Sequence, residues 1–253
     1  MTLKPLKILA GALLFLAGLL PFQSVALADG LPVSMQLTGL RTGFSMGGVY
    51  TSPYEITING KVGVFLACDD FLTPIQLNYT WDATIHPLSA VAGNAKFQDA
   101  AVMYPDDPGP TTYSVQQKYS AAAWLAYQLL TNASIWNSPA TAGEYSYAIW
   151  QIFDPTAVNG YNIPLTHDEK AMVKKYMQDA FAGTASTSIY IFTPNPSTPS
   201  QEFIGFLPNG ITADEVSVPE GSILTFLAFD FLALPAILLF KRRRVPPGCG
   251  TIR

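Results

Sequence analysis

Hydrophobic and polar residues alternate along the first stretch that carries a clear pattern. From 31 to 40, Val33, Met35 and Leu37 are separated by Ser34, Gln36 and Thr38, which predicts a strand with one buried face. Two more such runs, 54–58 and 62–66, flank Asn59-Gly60. A type I′ turn needs positive φ at both central residues, and Asn-Gly tolerates it, so the pair predicts a β-hairpin. Residues 62–67 are so uniformly apolar that both faces of this second strand are expected to be buried. The hairpin delivers Cys68-Asp69-Asp70 at the end of that strand. Leu77, Tyr79, Trp81, Ala83 and Ile85 alternate again and predict a strand across 76–88.

The period then changes. Between 113 and 130, Val115, Tyr119, Ala122, Ala123, Ala126, Leu129 and Leu130 recur at helical spacing, and Trp124, Leu125 and Tyr127 widen the stripe, so this helix should be mostly buried. Thr141 with Glu144, and Thr166 with Glu169, have capping-box spacing and announce helices over 142–153 and 167–182. Gly183 follows the last. Strand-like runs at 188–192 and 202–207 are joined by a Pro-rich loop at 193–199. Strands, three helices and strands again predict an α+β fold: a β-rich domain with a three-helix insertion between strands.

The two ends have their own patterns. Lys4 and Lys7, an apolar stretch from 8 to 20 and Ala26-Leu27-Ala28 read as a secretory signal peptide over 1–28, with cleavage after Ala28 guided by Ala26 and Ala28. At the other end, Val218-Pro219-Glu220-Gly221 precedes a mostly apolar run to 240 and the basic block Lys241-Arg242-Arg243-Arg244. A run of this length can cross a bilayer of about 30 Å as one helix, and the basic block is expected on the cytoplasmic side. Asp230 near its middle and Pro235 weaken insertion.

This order of Pro-Glu, hydrophobic span and Arg-rich cluster resembles the PEP-CTERM sorting signal of Gram-negative surface proteins, with Gly221 where that family usually has a second Pro. The resemblance implies an exosortase-type transpeptidase as partner, cutting near Pro219-Glu220, and a membrane contact through 221–240. The expected organisation is therefore an exported ectodomain at 29–208, a linker at 209–217, the sorting signal at 218–244 with its transmembrane helix, and a cytoplasmic tail at 245–253. The expected location is the cell surface or extracellular matrix of a Gram-negative bacterium, reached by way of the inner membrane.

Charge sharpens the picture. Residues 29–218 hold seven Lys and Arg against sixteen Asp and Glu, a net of −9. An acidic domain without a basic patch is a poor partner for nucleic acid. Cys249 lies beyond the span, so Cys68 is the single thiol of the exported part. Such a thiol is buried and inert, paired between molecules, or chemically used.

Cys68-Asp69 at a strand end, followed by a helix containing Tyr147-Ala148-Ile149-Trp150, resembles the Cys-Gln thioester domains of bacterial surface adhesins. In that family the Cys and Gln side chains condense into an internal thioester that captures a nucleophile. Counting back from Trp150, the Gln position is held here by Ser146, which has no carboxamide, so Cys68 and Ser146 mark an inactive thioester-like site. Gln151 lies on another part of the helix surface. A Cys-dependent enzyme would need His86 or His167 beside Cys68. Asp69-Asp70 and Asp106-Asp107 lack EF-hand spacing, and Asp106-Asp107-Pro108-Gly109 reads as a turn; no metal and no cofactor is expected. These patterns predict a non-catalytic structural or adhesive protein of exopolysaccharide or biofilm matrix. The alternatives are a membrane-anchored glycan-binding module and a Cys68-dependent enzyme.

Overall fold

The chain begins its folded course with β1 (Leu31–Leu40), followed by a small hairpin of β2 (Ser45–Met46) and β3 (Val49–Tyr50) and then by β4 (Tyr54–Ile58). The computed structural model describes residues 30–41, 43–158, 165–197 and 200–216. Asn59 and Gly60, at φ +47° and +78°, make the turn into β5 (Lys61–Cys68), as a type I′ turn requires. Next come β6 (Thr80–Pro87), a 3₁₀ turn at Leu88–Ala90, and a short hairpin of β7 (Ala101–Val102) and β8 (Thr111–Thr112). The helices are α1 (Val115–Thr131), α2 (Ala133–Trp136), α3 (Pro139–Phe153) and α4 (His167–Ala182). β9 (Ile189–Pro194), β10 (Phe203–Phe206) and the short α5 (Ala213–Val216) complete the described chain.

Six of the strands close a barrel in the order β1-β4-β5-β10-β9-β6, and every neighbouring pair is antiparallel. Closure satisfies the backbone groups that an open sheet edge would leave unpaired. One core fills the barrel, with Met35, Ile56, Trp81, Phe192 and Phe203 among its residues. A second core lies between the barrel and the helices α1, α3 and α4, which pack on one another. Strands β9 and β10 bury both faces because they stand between these cores: Phe192 and Phe203 point into the barrel, Ile191 and Ile204 into the helices.

The expected mixture of strands and three long helices is present, and the helices do lie between strands. Several details differ. Helix α3 starts at Pro139, capped by Ser138, whose side chain accepts from the Thr141 amide; the Thr141–Glu144 spacing falls inside the first turn. Pro at the first helical position and Ser before it form the stronger start signal. Strand β6 begins only at Thr80, because Asn78 at φ +65° turns the chain and leaves Leu77 and Tyr79 exposed. The expectation that β5 is buried on both faces holds only for its last three residues. Val62 is 78% and Phe65 37% exposed, since β5 pairs with β10 only through Leu66, Ala67 and Cys68. Ahead of that pairing, a groove of about 530 Å³ opens between β5 and residues 206–209.

The described residues belong to one compact unit. The expected linker at 209–217 is part of it as far as Val216, which is buried among the barrel residues. The signal peptide with Ala26 and Ala28, the sorting signal with Val218, Pro219, Glu220, Lys241, Arg242, Arg243 and Arg244, and the span at 221–240 lie outside the described residues. Among the described residues no helix is long and apolar enough to cross a membrane.

Barrel closure makes a specific demand at Gly205, which pairs with Leu66. A Cβ there would stand 2.5 Å from Leu66 Cδ2, with Leu130 of α1 at 3.4 Å. Leu66 is itself fully buried and cannot swing aside into solvent. Gly205→Ala is expected to lower unfolding stability by about 1–3 kcal/mol, read as a lower denaturation midpoint with an unchanged slope in urea.

Candidate functional site

Cys68 ends β5 at the mouth of the barrel and is fully buried. Its amide donates to Ser52 Oγ (3.0 Å), the Ser52 amide donates to Ser146 Oγ (3.0 Å), and the Ser146 hydroxyl donates to the Ala142 carbonyl one turn back in α3 (2.8 Å). The two thioester-like positions, Cys68 and Ser146, are thus brought to one place, one residue apart. Ser146 occupies it as a helix-bound hydroxyl.

The sulfur is enclosed by the residues that follow it. The Cys68 thiol donates to the Asp70 carbonyl (3.3 Å) and Sγ accepts from the Asp70 amide (3.4 Å). Phe71 stacks at an angle on Trp150 (5.1 Å between centroids) and on Tyr147 (6.2 Å). Burial, with the neighbouring carboxyls of Asp70 and Asp69 adding to it, pushes the thiol well above its ordinary value, and the Asp70 amide and Trp150 indole oppose this only in part. Desolvation disfavours the thiolate, the form needed for nucleophilic work.

The two histidines stand on other elements than Cys68. His86 pairs with Ile191, whose side chain belongs to the helix-side core, so it faces out of the barrel while Cys68 faces in. His167 opens α4. Gln151 does not replace the missing carboxamide. Its Nε2 donates to the carbonyls of Met103 (2.6 Å) and Pro155 (3.0 Å), and its Oε1 accepts from the Val158 amide (3.1 Å). Asp106 turns the chain at φ +62° and Asp107 pairs with Lys174. Among the described residues no group of three or more His, Cys, Asp or Glu could hold a metal ion.

The residues beside Cys68 form a polar cluster that the sequence does not announce. Glu202, fully buried just before β10, accepts from the Tyr119 hydroxyl of α1 (2.5 Å), the Thr193 hydroxyl of β9 (2.6 Å) and the Lys96 amide (2.8 Å). Asp69 is equally buried, and neither of its carboxyl oxygens receives a donor. Two adjacent ionised carboxylates cannot share such a place. Glu202, with three donors, keeps the charge, and Asp69 keeps a proton that it donates to Glu202. Burial first, and Glu202 second, hold Asp69 well above the ordinary carboxyl range. Burial also raises Glu202, against the pull of its donors.

Asp70 is held separately. Lys96 Nζ contacts its Oδ2, Thr73 N donates to Oδ1 (3.1 Å), and Gln201 Nε2 donates to its carbonyl (3.2 Å). Lys96 Nζ also donates to Thr73 Oγ1 (2.9 Å) and the Ser200 carbonyl (3.1 Å). Lys96 and Glu202 stand far from Cys68 in sequence, and no local motif marks either one. The only hint is a carboxylate within the strand-like run at 202–207.

No protein-family model and no curated protein matches the chain. The fold has a weak structural similarity to the N-terminal domain of the Streptococcus pyogenes pilus tip adhesin Cpa. The TM-score is 0.40 at 9% identity, over 71% of this chain and 94% of that one.

The shared proton makes stability depend on pH. A carboxyl raised on folding contributes stability that is complete below its unfolded value of about 4 and is lost as pH rises through the folded value. The domain should therefore lose stability as pH rises above about 4. Asp69→Asn keeps a donor towards Glu202 and removes the proton that can leave. The variant is expected to show a flatter fall in melting temperature than the parent as pH rises from about 4; equal slopes in the two proteins would rule out the shared proton.

Proposed function

We propose that this chain is an exported, non-catalytic surface or extracellular-matrix protein, delivered and sorted by an exosortase-type transpeptidase and serving a structural or adhesive role in exopolysaccharide. The observation that carries the non-catalytic part is the closed state of Cys68. Its sulfur meets the backbone of Asp70, and its amide is tied through Ser52 to Ser146. A nucleophilic cysteine needs a partner that holds it as thiolate and a path for substrate. The sorting part rests on the order of the C-terminal segments, Pro219-Glu220, the apolar run and Lys241-Arg242-Arg243-Arg244, and on the signal peptide at the other end. The coarser element, a surface-exposed role, is compatible with a β-rich fold of this kind.

Two measurements test the two parts. Mass spectrometry of the exported protein is expected to place its N-terminus at Asp29 and its C-terminus near Pro219 or Glu220. Peptides from 241–253 on the stable surface form would instead establish a retained anchor. In the folded protein Cys68 is expected to react with iodoacetamide at neutral pH far more slowly than after unfolding. Rapid modification of the native protein, titrating well below the free-thiol value of about 8.5, would make Cys68 a nucleophile and defeat the non-catalytic assignment.

A further inference from the structure

We propose that Lys96 and Asp70 condense into an intramolecular amide that staples the loop before β7 to the exit of β5. The Asp70 side chain is 1% exposed, that of Lys96 30%. The carboxyl is fixed in orientation, because Thr73 N holds Oδ1 while Lys96 Nζ meets Oδ2. The amine is fixed too, by Thr73 Oγ1 and the Ser200 carbonyl. Both backbones are anchored to the segment leading into β10: Gln201 Nε2 donates to the Asp70 carbonyl, and the Lys96 amide donates to Glu202. Nucleophile and electrophile are thus held in contact by separate sets of hydrogen bonds. Groups oriented in this way gain effective molarities on the order of 10⁵–10⁸ M over free reactants.

The step balances without a co-reactant. The proton on the hydrogen bond between the two groups passes from Nζ to Oδ2, leaving a neutral amine and a neutral carboxylic acid. Nζ then attacks Cγ; the Nζ–Cγ bond forms, one Cγ–O bond breaks, and that oxygen leaves as water with a second Nζ proton. An ammonium and a carboxylate have become one amide and one water, with no change in oxidation state. The partly open side of Lys96 gives the water a way out, and the buried carboxyl side keeps bulk water from reversing the reaction. The link joins residues 26 apart in a domain whose single described cysteine is free, so it would restrain the chain where a disulfide cannot. It does not depend on the sorting or adhesive role proposed above.

Trypsin reads the link directly, because Lys96 is the only Lys or Arg between Lys61 and Lys118. Denatured full-length protein digested with trypsin is expected to yield one peptide spanning 62–118, uncut at Lys96 and lighter than its sequence mass by about 18 Da, one water. Lys96→Arg and Asp70→Ala should each restore cleavage at position 96 and the full sequence masses. A dehydrated Asp alone would lose the same mass but leave Lys96 cleavable. Release of peptides 62–96 and 97–118 from the parent protein, or a 62–118 peptide of undiminished mass, would overturn the proposal whatever the variants do.

Discussion

The constraint on which this structure depends is the buried carboxylate of Glu202. It takes a hydrogen bond from each of three parts of the chain that lie far apart in sequence: Tyr119 in α1, Thr193 in β9 and the amide of Lys96 before β7. A fully buried charge is tolerated only when its hydrogen-bonding capacity is filled. Filling it requires the helical insertion, the second half of the barrel and the loop from the first half to be in place together. The backbone adds to this, since the Asp69 amide donates to the Glu202 carbonyl (3.3 Å) as Phe203 pairs with Cys68. The closing seam of the barrel and the docking of the helices therefore meet at one residue, and a partly formed arrangement would leave that charge unsatisfied.

This explains what the sequence could and could not show. Local signals were legible wherever local physics decides. The alternation of Val33, Met35 and Leu37, the Asn59-Gly60 turn and the Thr166–Glu169 capping box each specify a structure within a few residues, and each is found. Closure into a barrel was not legible, because it depends on pairings such as Leu31 with Ile85 and Ala83 with Pro194, which no short window contains. The same limit explains β5. Its apolar run predicts burial on both faces, but burial depends on whether β10 follows it, and β10 leaves after three pairs. The exposed part of β5 carries Lys61 and Gly63 at φ +74°, where its register against β4 shifts. A charge and an irregularity of this kind discourage strand addition at a free edge.

The candidate site was legible by half. Cys68 and Ser146 are the positions to which the resemblance to thioester domains points, and the fold joins them through one intervening residue. Ser52, Lys96, Tyr119 and Glu202 could not be found in this way, since each looks in the sequence like an ordinary loop, helix or strand residue. Their importance arises only from burial, which converts a routine polar side chain into one that must find a partner.

Ser146 also has a structural role beside Cys68. A serine inside a buried helix is costly unless its hydroxyl is used, and here it is used twice, donating to Ala142 and accepting from Ser52. Ser52 in turn accepts from the Cys68 amide. The amides of Ser52 and Cys68 fall where ladder partners are lacking, and the two hydroxyls supply the acceptors that buried N–H groups require. With those places taken by hydroxyls, Cys68 is fixed by its backbone and capped by Asp70, and its sulfur is left as one more packed atom of the barrel core.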